Sequence, residues 1–166
     1  MDTQPAPDIA QIIAQVAERL LAGGRQIVTA ESCTGGWIAK ACTDRPGSSQ
    51  WFRGGVVAYT NELKTAMLGV WPATLEEAGA VSEATVREMA VGALERLGGD
   101  VAVAVTGIAG PDGGSPGKPV GTVWFGWAHR SAAGIDVRTR RHCFDGDREE
   151  VRRQAVATAL RGVLEA

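Results

Sequence analysis

Ser32 lies in the segment Glu31-Ser32-Cys33-Thr34-Gly35-Gly36, between a short extended run from Gln26 to Ala30 and a helix-compatible stretch from Trp37 to Thr43. A strand that turns sharply into a helix brings a small polar side chain to the C-terminal edge of a sheet. The same turn aims free backbone N–H groups and the positive end of the helix dipole at whatever binds there. A hydroxyl so placed can act as a nucleophile, with neighbouring N–H groups forming an oxyanion hole. Gly35 and Gly36 would leave room for close approach. The same pattern equally describes an ordinary helix start, with Ser32 or Thr34 as the capping residue. Cys33 is a lesser nucleophile candidate, because a helix N-terminus lowers a thiol pKa.

A serine nucleophile needs a base. Of 17 basic residues only Lys40, Lys64 and Lys118 are lysines, and arginine cannot give up its proton near neutral pH. Lys64 stands out because it follows Tyr59, the only tyrosine of the chain, across a strand-to-helix junction. To serve as a base it must be neutral, which means lowering its pKa by roughly three pH units, or ~4 kcal/mol against the charged form. Burial beside another cation would do this; a surface ion pair with Glu62 or Glu76 is the plainer alternative. The histidines offer less, since His129 and His142 both fall on a predicted hairpin. There is no H-x-x-x-H and no clustered carboxylate–histidine set, so no metal is expected.

The third candidate is the loop Thr106-Gly107-Ile108-Ala109-Gly110-Pro111-Asp112-Gly113-Gly114. It follows a buried apolar run, Val101 to Val105, where open α/β sheets place ligand loops. It matches neither G-x-G-x-x-G nor G-x-x-x-x-G-K-[ST]. Its backbone N–H groups could still meet a phosphate, or the loop could be a simple connector.

Around these segments the apolar periodicity predicts a helix from Ile9 to about Leu20, strands at 26–30, 56–60 and 101–105, and a helix at 82–97 started by Ser82. A long loop spans 107–121. Strands at 122–128 and 135–144 form an antiparallel pair, the second with one face to solvent, and a closing helix begins at Asp147 with Glu150 as its capping partner. Alternating strands and helices followed by a hairpin give one α/β domain over 1–166, a sandwich on a mixed sheet. The net charge of −2 argues against a nucleic-acid partner. No run approaches the ~20 apolar residues of a membrane span. Three cysteines without a C-x-x-C pair fit reduced thiols and a cytoplasmic location.

Taken together, AESCTGG at 30–36, GSSQWFRGGVVAYTNELK at 47–64, TGIAGPDGG with KPVGTVWF at 106–125, GAVSEATVREMAVGAL and GDREEVRRQAV cover nearly the whole chain. In this order they resemble the C-terminal domain family of the competence/damage-inducible protein CinA. That resemblance implies hydrolysis of nicotinamide mononucleotide to nicotinic acid mononucleotide and ammonia by a Ser/Lys enzyme without metal or cofactor. It also implies a three-layer α/β/α sandwich on a mixed, mainly parallel sheet, a homodimer and a small nucleotide as the binding partner.

The family's serine falls on Ser32 and its lysine on Lys64, while Tyr59, Ser48 and Thr106 match pocket positions. Ser48 is the rival serine, ranked second because a turn serine commonly caps its own backbone. On this reading the catalytic set is Ser32, Lys64 and Tyr59, and backbone near Thr34 to Gly36 holds the oxyanion. Glu31, Thr34, Gly35, Gly36, Ser48, Thr106, Gly107, Gly110 and Arg148 bind substrate. The phosphate rests against Gly107 to Gly110 or the first helix N-terminus, with Arg148 or Arg141, and Trp51 is the tryptophan expected near the pocket. A non-catalytic nucleotide-binding regulatory module is the alternative reading.

Overall fold

The structure, a computed structural model, describes residues 8–165. Its spine is a five-stranded sheet in the order β2-β1-β3-β4-β5, formed by β1 (Ile27–Glu31), β2 (Phe52–Val57), β3 (Val101–Gly107), β4 (Thr122–Ser131) and β5 (Gly134–Cys143). The β1–β2 and β1–β3 pairs are parallel, and β4 runs antiparallel to both its neighbours. Only β4 therefore points against the rest.

Two helical layers close the sandwich. α1 (Ile9–Ala22), α2 (Trp37–Thr43) and α6 (Arg148–Leu164) cover one face, packing on Ile27, Val101, Val103, Val105, Phe125 and Trp127. α3 (Asn61–Leu68), α4 (Pro72–Ala78) and α5 (Glu83–Leu97) lie on the other, where α3 and α5 pack on Val28, Ala30, Ala102 and Ala104. The strict alternation of valine and alanine in β3 explains the asymmetry: bulk fills the first face, and small residues let α5 lie close on the second.

The helix starts follow the expected chemistry. Ser82 Oγ accepts from the Thr85 N–H, and Asp147 accepts from the Glu150 N–H. β2 departs from the expected 56–60. It begins at Phe52, and the Gly54-Gly55 pair that hides it in the sequence is a packing device, since a Cβ on Gly55 would lie 2.0 Å from Thr29 Oγ1. It ends at Val57 because Thr60 caps α3, its hydroxyl accepting from the Leu63 N–H at 3.2 Å. α4, with Pro72 in its first turn, was not foreseen.

The polar side of β5 does not simply face solvent. Arg138 stacks 4.5 Å over Trp127, and both Arg138 and Arg140 pair with Glu165 at the end of α6. No helix among the described residues is long and apolar enough to cross a membrane.

Candidate active site

Alternation along β1 decides what reaches the site. Ile27 joins the α1/α2/α6 face and Val28 and Ala30 the α3/α5 face, so Glu31 turns towards α2 and Ser32 towards α3. Ser32 extends the ladder by one residue, its N–H donating to the Val105 carbonyl at 3.1 Å. Its hydroxyl lies 3.0 Å from Lys64 Nζ. Lys64 reaches it from the first turn of α3, only 2% exposed.

The amine has two further contacts, with the carbonyls of Ala58 at 3.1 Å and Tyr59 at 3.0 Å. Both carbonyls belong to the turn between β2 and α3. Among the described residues no carboxylate pairs with Lys64, so neither Glu62 nor Glu76 is its partner. Burial pushes the Lys64 pKa down from the ordinary lysine value, and its place at the positive end of a helix acts in the same direction.

Ser32 and Lys64 open into a cavity of about 270 Å³, close to the lower end of small-ligand sites, roughly 300–1,000 Å³. Besides this pair it is lined by Tyr59 and Asn61, by Ala80 and Val81, and by the loop that runs on from Thr106, including Gly107, Gly110 and Asp112. Thr106 is buried and donates to the Ala80 carbonyl at 2.8 Å, tying the β3 end to the loop before α5. The long loop is no loose connector. The Ile108 N–H donates to the Thr122 carbonyl and the Gly121 N–H to the Ile108 carbonyl, and Lys118 donates to the Ala78 carbonyl at 2.7 Å. At the mouth Arg148 bridges the loop and Tyr59, donating to the Gly110 carbonyl at 2.7 Å and to the Tyr59 hydroxyl at 3.0 Å.

A family model described as the CinA C-terminal domain matches residues 9–166. The nicotinamide-nucleotide amidohydrolase PncC of Escherichia coli is 56% identical over 153 residues, 92% of this chain and 91% of that protein. The protein of the same name from Pseudomonas putida is 50% identical over 95% of this chain and 96% of its own. The crystal structure of the competence/damage inducible protein CihA from Agrobacterium tumefaciens superposes with a TM-score of 0.91 at 43% identity, covering 99% and 98% of the two chains. The chain belongs to the CinA C-terminal domain family. At this identity over nearly the full length of both chains, it is an amidohydrolase.

Of the residues expected from the sequence and the CinA resemblance, Ser32, Lys64, Tyr59, Thr106, Gly107, Gly110 and Arg148 line one cavity. Five do not. Glu31 is buried, its carboxylate accepting from Thr34 Oγ1, the Ile38 N–H and the Ala39 N–H. Thr34, Gly35 and Gly36 border a separate groove with Trp37, Lys40 and Arg152.

The two glycines have φ of 60° and 97°, so the turn itself requires them. Of the three N–H groups expected at 34–36 to hold an oxyanion, that of Gly35 is taken up within the turn. The Gly35 N–H donates to Ser32, the Trp37 N–H to Thr34, and the next two to Glu31. Ser48 sits in a short 3₁₀ turn (Ser48–Gln50) outside the cavity lining.

Arg141 donates to the Gly117 carbonyl, away from the cavity. Trp51 is a core residue, and the exposed tryptophan is Trp71. His129 faces Asp136, and His142 stacks on Phe144, so neither histidine joins the site. Cys33 lines the cavity but is buried, and burial pushes its thiol up to about 12, which leaves no thiolate near neutral pH.

Asn61 and Asp112 are cavity residues that the sequence reading passed over. Asp112 stood inside the glycine loop already singled out; Asn61 carried no separate signal. Among the described residues Asp112 is the one carboxylate in the lining.

Proposed function

We propose that this enzyme hydrolyses the carboxamide of nicotinamide mononucleotide, with Ser32 as nucleophile and Lys64 as its base. The observation that carries this reading is the set of three partners around Lys64 Nζ. An uncharged amine has two N–H donors and one lone pair. Two carbonyls accept the donors, which leaves the lone pair for the Ser32 hydroxyl. A buried ammonium would have three neutral oxygens around it and no counter-ion among the described residues, which is costly.

In the first step Ser32 Oγ attacks the carboxamide carbon and its proton passes to Lys64. The tetrahedral oxyanion then collapses as Lys64 returns the proton to the leaving nitrogen, and ammonia departs. Water attacks the acyl-enzyme with Lys64 again as base, releasing the carboxylate product and the Ser32 hydroxyl. The reading puts the oxyanion donors among the backbone N–H groups that line the cavity, at Cys33 and in the 107–110 loop.

The charges at the cavity mouth suit the substrate. Arg148 is the cation for the 5′-phosphate, exchanging its Tyr59 contact for it. Asp112 is the anion for the cationic pyridinium ring. Tyr59 is 54% exposed, so it frames the entrance rather than the proton path.

The test is ammonia release from nicotinamide mononucleotide beside free nicotinamide, with mass spectrometry of the quenched enzyme. Turnover of the nucleotide and an acyl adduct on Ser32 are expected. Binding without ammonia would leave a regulatory module. Equal turnover of free nicotinamide would remove the phosphate from recognition.

A further inference from the structure

Glu31 precedes the nucleophile and never meets the cavity, yet it holds the turn that carries Ser32. Its carboxylate is 1% exposed and receives three donors: Thr34 Oγ1 at 2.7 Å, the Ile38 N–H at 2.8 Å and the Ala39 N–H at 3.0 Å. One side chain thus fastens the middle of the turn and the first turn of α2 to the end of β1. From the other side Arg152 holds the same turn by its carbonyls, donating to Cys33 at 3.0 Å and Thr34 at 3.2 Å. Ser32 itself is pinned at both ends, by Val105 through its N–H and by Gly35 through its carbonyl. The hydroxyl is left with little freedom other than rotation about its own χ1.

We infer that Glu31 is a positioning residue for the Ser32 nucleophile: its carboxylate clamps the 32–36 turn so that Oγ points at Lys64 Nζ. This rests on the Ser32/Lys64 reading above. The requirement is for a carboxylate rather than for a polar group of that size. Three donors converge on it, so both oxygens must be pure acceptors. A glutamine has the same shape but would set its NH₂ against an N–H or the Thr34 hydroxyl. One contact of the clamp would then open, and misdirecting a reacting atom by about 1 Å costs on the order of 100-fold in rate.

The experiment compares wild type with Glu31→Gln and Thr34→Val. Steady-state rates on nicotinamide mononucleotide are measured beside the rate at which a fluorophosphonate probe labels Ser32. For Glu31→Gln the expectation is a fall in kcat of about 10- to 100-fold, with KM within about threefold and labelling slowed by a similar factor. Thr34→Val removes one donor but keeps the charge, and is expected to lose about threefold to tenfold in the same two rates. It covers the case in which Glu31→Gln fails to fold.

A lower melting temperature with kcat and labelling unchanged would reduce Glu31 to a structural residue. A raised KM at constant kcat would make it a substrate contact and overturn the inference. The labelling arm needs no nucleotide, so it tests Glu31 even if the wild type proves inactive on that substrate.

Discussion

The turns that follow β1 and β2 are neighbours at the same sheet edge, and they are closed in opposite ways. After β1 the backbone offers N–H groups, and a buried carboxylate, Glu31, absorbs them. After β2 the backbone offers carbonyls, and a buried amine, Lys64, absorbs those of Ala58 and Tyr59. In the first turn an anion is satisfied by the Thr34 hydroxyl and the Ile38 and Ala39 N–H groups. In the second the amine has one coordination position beyond the carbonyls, and Ser32 fills it. The same physical demand, that buried polar groups be paired, yields a scaffold in one turn and, on the proposed reading, a reactive pair in the other. On the proposed reading the charges for recognition come from Asp112 in the loop after β3 and Arg148 at the start of α6, both in the cavity lining.

The largest effect should come from breaking the bond between the turns. Ser32→Ala is expected to lower kcat by about 10³-fold or more, with circular dichroism and melting behaviour retained. Lys64→Arg should fall as far, because guanidinium cannot release its proton near neutral pH. Activity in Lys64→Arg near that of wild type would end the base role and with it the contrast drawn here.

The pH dependence sharpens the same contrast. Burial lowers the Lys64 pKa, so its ammonium form yields to the free amine at lower pH than for an ordinary lysine. The rate should therefore rise with pH along an acid limb whose midpoint lies below the ordinary lysine value of about 10.4.

Stability carries the matching signature. In the window between the folded and unfolded pKa values of Lys64 the unfolded chain binds more protons, so wild-type stability gains with rising pH. Lys64→Met lacks that gain. The absolute difference between the two proteins also includes two orphaned carbonyls, but its slope with pH belongs to Lys64. Urea unfolding at a series of pH values from 7 towards about 10 should show the wild type gaining on Lys64→Met. A parallel pair of curves would contradict a depressed Lys64 pKa.

If recognition lies outside the two turns, Asp112 should matter for the ring charge alone. Asp112→Asn is expected to lower kcat/KM on nicotinamide mononucleotide by roughly threefold to tenfold, the scale of a partly solvated charge pair. The reduced nucleotide, with an uncharged dihydropyridine ring, should be processed by both proteins alike. An equal loss on both substrates would assign Asp112 to the ribose or to the loop.

Much of this arrangement was legible in the sequence, for reasons that also explain the failures. Caps and apolar stripes are local, so Ser82, Asp147 and the faces of α1 and α6 fell where periodicity put them. The strand-to-helix junctions could be read too, and with the CinA resemblance they led to Ser32 and Lys64. Glu31, Thr34, Gly35 and Gly36 were assigned to substrate because a helix start looks like an open anion site in one dimension. Only three-dimensional packing reveals that a carboxylate from the preceding strand already occupies it. β2 was misplaced by the same kind of blindness, since the need for Gly55 comes from Thr29 on the neighbouring strand. Asp112 escaped notice because a carboxylate among glycines has no periodicity to mark it.

The smallest expected effect concerns the thiol beside Ser32. Cys33 belongs to the turn that Glu31 and Arg152 hold, and its carbonyl, not its sulfur, is what Arg152 grips. Its Sγ packs against Gly107, where a Cβ would come within 3.1 Å of it, and burial keeps it a neutral thiol. Cys33→Ala removes the sulfur and leaves every backbone contact of the turn in place. kcat should stay within about threefold of wild type, while the small void left behind costs on the order of 1 kcal/mol. For a chain of this size that is a melting temperature lower by roughly 2–4 °C. A loss of activity beyond about tenfold at unchanged stability would mean that the sulfur, and not the backbone of the turn, is part of the chemistry.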